Sequence, residues 1–464
     1  MQKTKTKDII KLSDHFTYKR LMRFTLAPIA MMIFTSIYGV VDGIFVSTFV
    51  GTTEFAALNL VMPLLIILGA VGFMLGTGGT AIVSKTFGLG DKARANEYFS
   101  LIIYVNLIAG VILAAIGIIL ARPVSLLLGA GEGMVEHCTL YATVVLCALP
   151  FFMIQNTFQS FFVTAEKPKM GLWVTVAAGV TNMVLDALLV AAFSWGLFGA
   201  ALATALSQAV GGIIPLIYFG RKNTSTLRLG KTKFYGKMLL GACANGSSEL
   251  LSNISMSVVT MLYNFKLMDL EGKNGVAAYG AIMYVNFIFV AIFIGYAIGS
   301  APVVGYHYGA DNRPELRSVF RKSTVITTTL GVAMCAAAIA LSTPLSALFS
   351  NGSEELFALT RRGFIFFAIH YIIAGFNIFG SSFFTALNNG VVSAVISFLR
   401  TIVFQCGSVL LLPLIFNSID GVWVSIIVAE SLTFIVTTIL LVALSGRYGY
   451  AGKQKPSAPK AELL

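Results

Sequence analysis

The chain has 464 residues, of which 57% are hydrophobic and only 11% charged, with a formal net charge of +12. Soluble domains carry about 25% charged residues, so this balance, with apolar runs recurring from end to end, excludes a soluble protein and indicates an all-α polytopic membrane protein. The positive surplus does not call for nucleic acid as a partner, because of where it lies. All but six of the 32 Lys and Arg fall in the tails and in alternate loops; Arg122, Lys266, Lys273, Arg361 and Arg362 fall in the intervening loops and Arg400 inside a span. By the positive-inside rule both termini are cytoplasmic and the chain is a multi-pass protein of the plasma (cytoplasmic) membrane, with lipid as its surroundings.

Residues 1–23 carry seven Lys and Arg together with Asp8 and Asp14, without a small-residue cleavage site, and read as a cytoplasmic tail rather than a signal peptide. The first apolar run, residues 24–50, reads FTLAPIAMMIFTSIYGVVDGIFVSTFV. At helical rise it spans about 40 Å, enough to cross a bilayer with tilt. Its one charge is Asp42. A carboxylate at membrane depth faces the protein interior, pairs, or takes up a proton or cation; the plainer alternative is that Asp42 reaches interfacial water near the span's end. Pro28 lacks an N–H and marks a place where this helix can bend.

Eleven further spans follow near 56–84, 99–121, 137–164, 170–192, 194–219, 237–265, 276–306, 320–346, 361–386, 390–415 and 420–445. The basic linker 221–236 divides them into a first lobe, 24–220, and a second lobe, 237–445, each of six helices; residues 446–464 are polar and Pro-containing and read as a disordered cytoplasmic tail. The five cysteines stand singly in apolar spans, without the spacing of a disulfide framework or a zinc site.

The halves are related at a lag of 221 residues, which pairs Asn156 with Asn377, Phe158 with Phe379, Ser160 with Ser381, Phe162 with Phe383, Thr164 with Thr385 and Ala165 with Ala386. The same lag pairs Gly88 with Gly309 and Phe99 with Phe320. Each half holds an even number of spans, so the copies run in the same direction, a parallel repeat about an axis along the membrane normal. Two like bundles facing a cleft are the architecture of an alternating-access transporter rather than of an enzyme.

Polar residues inside spans mark where such a transporter works. In the fifth span Asn182 and Asp186 share a helical face, and in the sixth Thr204 and Gln208 repeat that spacing. With Asp42 they put two carboxylates, amides and a hydroxyl in an apolar bundle, oxygens suited to a proton or a hard monovalent cation such as sodium, unless they lie on unrelated faces. In the second half Asn245, Glu249 and Asn253 form a stripe on the seventh span and Glu430 stands in the twelfth. Glu249, Asn253, Gln155, Asn156, Gln159, Asn286 and Asn377 are the residues expected to line a substrate cavity.

The segments GVVDGIFVSTFVG, TFGLGDKARAN, TNMVLDALLV, GLFGAALATALSQ and SSFFTALNNG, in this order, resemble the multidrug and toxic compound extrusion (MATE) transporters over nearly the whole chain, in the prokaryotic branch that holds DinF and MepA. The resemblance implies a V of two six-helix lobes, no cofactor, export of small cationic or amphipathic organic compounds as a monomer, and antiport of H+ and/or Na+. It also implies an ion site in the first lobe at Asp42, Asn182, Asp186 and Thr204, with Tyr141 from the fourth span. Glu249 matches an acid that another branch uses for coupling, but the tenth span supplies no Asp or Glu to complete a second-lobe site. The alternative is a lipid-linked oligosaccharide flippase of the same superfamily. A pyrophosphate would call for several cations along the cavity, and Arg400 is the one clear intramembrane cation. No nucleophile triad, H-E-x-x-H or Walker A segment points to an enzyme or to ATP drive.

Overall fold

The computed structural model describes residues 10–350 and 352–450, whose regular elements are helices with no strand among them. Apolar runs of this length cross a bilayer as helices, because a helix satisfies its backbone groups within itself. The first three spans are Tyr18–Phe49, Thr52–Gly88 and Lys92–Leu127. The fourth is a pair of helices, Glu132–Cys147 and Leu149–Thr164, bent by 56° where Pro150 stands in the first turn of the second helix. The fifth, Pro168–Ala192, widens into a π-helical turn over Asp186–Ala192, and the sixth is Gly196–Gly220. The seventh and eighth form one run, Gly236–Gly309, broken at Gly272, where φ is 58° and a glycine is the residue that fits. The last four are Arg313–Phe349, Glu354–Ala386, Gly390–Phe416 with a second π-helical turn at Leu399–Gln405, and Asp420–Tyr448.

Helix ends run past the apolar segments. The Thr17 hydroxyl accepts the Arg20 N–H, so the first helix starts at Tyr18 and not at Phe24. The stretch expected as a loop from 266 to 275 is helical on both sides of Gly272, and the twelfth span runs to Tyr448, past the expected end at 445. The expected tail residues 1–9 and 451–464 lie outside the described residues.

The repeat is visible as repeated geometry. Ring centroids of Phe99 and Phe158 are 6.2 Å apart, and those of Phe320 and Phe379, their partners at the 221-residue lag, 6.3 Å. Phe158–Phe162 at 5.9 Å matches Phe379–Phe383 at 5.7 Å. Phe219 stacks on Phe158 in the first cluster, and Tyr450 packs on Phe320 in the second. Each half therefore builds the same aromatic core.

The halves meet mainly through the second span against the seventh and eighth, and the first span against the eighth. Glycines make that contact close, backbone on backbone. Gly78 lies against Ala242 and Gly246, Gly88 against the Tyr306–Ala310 turn, and Gly295 and Gly299 against Pro28–Ile29 and Thr25. On the face that carries both described chain ends the two halves are thus shut against each other.

A strap crosses this closed face. Residues 10–17, part of the expected cytoplasmic tail, run between the halves: the Leu12 N–H donates to Glu166 Oε1 of the first half at 2.8 Å, and the Phe16 N–H to Glu315 Oε1 of the second at 2.8 Å. His15 Nδ1 adds a 2.6 Å contact to Glu315 Oε2, and Phe16 is fully buried against Phe24 and His307. The inter-lobe linker makes the matching contact on the other side of the pseudo-axis. Its Arg228 N–H donates to Asn96 Oδ1 at 2.7 Å and its Gly230 N–H to Ser100 Oγ at 3.0 Å, at the start of the third span as Glu315 is at the start of the ninth.

Candidate functional site

The fold gathers the first-lobe polar residues from four spans. Asn182 and Asp186 stand one turn apart where the fifth span leaves α-helical geometry, and a π-turn widens the helix and re-aims the side chains it carries. The Asp42 carboxyl of the first span faces Asp186 and Asn182. Tyr141 of the fourth span lies beside Thr204 of the sixth, with Asp42 and Asp186 close by. All five residues expected at an ion site therefore come together in one cluster, and Asp186, Asn182 and Tyr141 are buried. Tyr38 lies near Asp42 and beside Gln155 of the fourth span.

Six oxygens in this region have no direct hydrogen-bond partner: Asp42 Oδ1, Asn182 Oδ1, both carboxylate oxygens of Asp186, Thr204 Oγ1 and Gln208 Oε1. A buried polar atom left unsatisfied costs about 1–3 kcal/mol, so such a cluster calls for a partner that the surrounding side chains do not supply. Every one of the six can accept a hydrogen bond or ligate a cation. The set suits a proton shared by the carboxylates or a hard monovalent cation held by oxygen alone.

The second half treats its polar groups differently. At the repeat spacing from Asp42 stands Tyr263, whose hydroxyl lies 2.6 Å from Ser425 Oγ and is satisfied there. Glu430 is buried and fully engaged: Oε1 accepts Arg400 Nε at 2.8 Å and Nη2 at 2.6 Å, and Oε2 accepts Asn377 Nδ2 at 2.6 Å. The sequence shows Arg400 and Glu430 as separate residues of adjacent spans. The clue to their pairing is that an intramembrane guanidinium needs a carboxylate; the second half offers Glu249 and Glu430, and Arg400 makes its direct pair with Glu430.

Between the halves lies a cavity of about 320 Å³. Met32, Phe73 and Thr77 of the first half face Glu249, Asn253, Asn286, Met283 and Phe367 of the second across it, with Arg400 and Glu430 on its wall. Of the residues expected to line a cavity, Glu249, Asn253 and Asn286 do so, and Asn377 holds Glu430 from beneath. Gln155, Asn156 and Gln159 do not line it. The second span stands in front of the fourth, with Gly72 and Gly76 pressed on Met153 and Thr157, so those side chains stay inside the first lobe and Ser160 alone of their helix reaches the cavity wall. The first helix runs unbroken through Pro28, whose carbonyl packs at Gly295 of the eighth span.

The family model described as MatE matches residues 28–188 and 250–407, one segment in each half. The chain belongs to the MatE family. It is a polytopic membrane transporter, not an enzyme. The matched segments include Asp42, Asn182 and Asp186 in the first half and Arg400 in the second. The chain is similar to the multidrug export protein MepA of Staphylococcus saprophyticus, 24% identical over 461 residues that cover 96% of each chain. It is also similar to the MepA of Staphylococcus haemolyticus, 24% identical over 332 residues, 71% of this chain and 73% of that one. Among solved structures, the outward-facing conformation of a multidrug resistance MATE family transporter of the MOP superfamily superposes with a TM-score of 0.87 at 22% identity, covering 96% of this chain and 100% of that one.

Proposed function

We propose that this MatE protein exports cationic and amphipathic organic compounds from the cell, driven by antiport of H+ or Na+ through alternating access of its two lobes. The observation that carries the reading is the cluster of six unpartnered oxygens around Asp42, Asn182, Asp186, Thr204 and Gln208 in the first lobe, set against a second lobe whose carboxylate Glu430 is already paired. The similarity to multidrug export proteins supports the cargo class.

The first-lobe residues act as the coupling site. Asp42 and Asp186 repel when both are ionised in a low dielectric, so over part of the cycle one carries a proton or both share a cation. Sodium, where it is the coupling ion, would be held by Asp42, Asn182, Asp186 and Thr204, and supplies the positive charge that lets both carboxylates ionise. Losing the ion changes which packing of the first span is preferred, and the Pro28 segment, in contact with Gly295 of the opposite half, passes that change to the inter-lobe contact. Export depends on the ion binding one packing better than the other; tight binding to both shifts nothing. The placement of Lys and Arg supports the shut, strap-bearing face as the cytoplasmic one, and in this reading the cavity discharges to the far side.

The flippase alternative is the weaker one because the cavity's guanidinium is held by Glu430, which leaves no free cation on the cavity wall among the described residues for a pyrophosphate. The test is purified protein in liposomes with proton and sodium gradients imposed separately. Uptake of a lipophilic cation dye under one gradient supports export by antiport. Movement of labelled lipid-linked sugar with no dye transport replaces it with the flippase.

A further inference from the structure

We propose that the Arg400–Glu430 pair fixes the charge of the inter-lobe cavity at one net negative charge, carried by Glu249, and so makes the cavity select ligands with a single positive charge. The inference rests on the export of organic cations proposed above and names which cations.

Three ionisable groups of the second half decide the balance. Glu249 lines the cavity; its carboxylate makes no hydrogen bond or ion pair of its own among the described residues, and the Arg400 guanidinium is close enough to act on it through space. Glu430 lies a helix away with its side chain only 5% exposed, and its charge is cancelled by Arg400, whose Nε and Nη2 both close on the same oxygen. Asn377 locks the arrangement: its Nδ2 donates to Glu430 Oε2 at 2.6 Å and to the Glu430 carbonyl at 2.9 Å. The π-helical turn Leu399–Gln405 carries Arg400 to this position. His370, the other basic side chain on the wall, spends Nδ1 on the Phe367 carbonyl of its own helix.

The rest of the wall is soft and apolar, with Met256, Met283, Tyr279 and Phe367 around the polar groups. The volume of about 320 Å³ suits one drug-sized molecule. A monocation seated against Glu249 leaves the enclosure neutral. A dication brings a second charge into a poorly screened space that already holds Arg400, and an organic anion meets Glu249 unpaired.

Ethidium and propidium test this, because they share one fluorescent ring system and differ by a quaternary ammonium. Their binding to the purified full-length protein is measured by fluorescence anisotropy at pH 8.5. The wild type binds ethidium at least about tenfold more tightly than propidium, a tenfold ratio corresponding to about 1.4 kcal/mol. Glu430→Gln leaves the Arg400 charge uncancelled and weakens ethidium about tenfold or more although Glu249 is untouched. Arg400→Gln exposes a second carboxylate and narrows or inverts the preference. The double variant Arg400→Gln/Glu430→Gln restores the net charge and with it ethidium binding and the wild-type preference, which a damaged fold could not do. Single variants that retain the wild-type ratio, or a double variant no better than Glu430→Gln, overturn the charge assignment. A wild type that binds neither dye overturns the export reading on which it rests.

Discussion

Gly88 and Gly309, the last residues of the second and eighth spans, lie against each other's backbones across the contact between the halves, and they are separated by the 221 residues of the internal repeat. A contact between two copies of one position lies on the pseudo-axis itself. A side chain at either position meets the opposite backbone: at Gly88 the Tyr306 carbonyl, at Gly309 that of Lys85. The closed face is therefore held by the absence of two side chains.

Gly309→Val will wedge that face open. Overpacking a close contact costs about 1–3 kcal/mol, enough to move a two-state equilibrium by about tenfold or more. Spin labels at Lys92 and Arg313, one at the start of each half's third span, will show a new, longer distance in the variant beside the wild-type one. An unchanged distribution would mean that the glycines fill space without setting the state.

Thr204→Val will remove one of the unpartnered oxygens while keeping the side-chain shape. It will raise the concentration of coupling ion needed for half-maximal transport about tenfold and leave the rate at saturating ion close to wild type, the pattern of a lost ligand in a site still closed by Asp42 and Asp186. Thermal stability will be unchanged or slightly higher, because an unsatisfied hydroxyl has gone. A titration curve that coincides with wild type would place Thr204 outside the site.

Much of this architecture was legible in the chain. Apolar length and the lag between Phe99 and Phe320 foretold twelve spans and two like halves, because both depend on local composition and are copied by the repeat. Asp42, Asn182, Asp186 and Thr204 could be gathered because intramembrane polar groups are few and helical spacing aligns them. What depends on packing was hidden. Leu12 and Phe16 look like ordinary tail residues until the two halves supply Glu166 and Glu315 to hold the backbone between them. Gln155, Asn156 and Gln159 have a cavity-like composition, but the glycine-rich second span packs in front of them. The two π-helical turns have no signature in periodicity, and without them the approach of Arg400 to Glu430 cannot be foreseen.

The central claim is that coupling resides in the first lobe. Its most direct test compares Asp42→Asn and Glu249→Gln in proteoliposomes under the same imposed proton or sodium gradient, following accumulation of a lipophilic cation. The account predicts that Asp42→Asn binds substrate with near wild-type affinity but accumulates none against its gradient, whereas Glu249→Gln still couples and needs a higher substrate concentration. Uphill accumulation by Asp42→Asn, or loss of coupling in Glu249→Gln with binding intact, would contradict it.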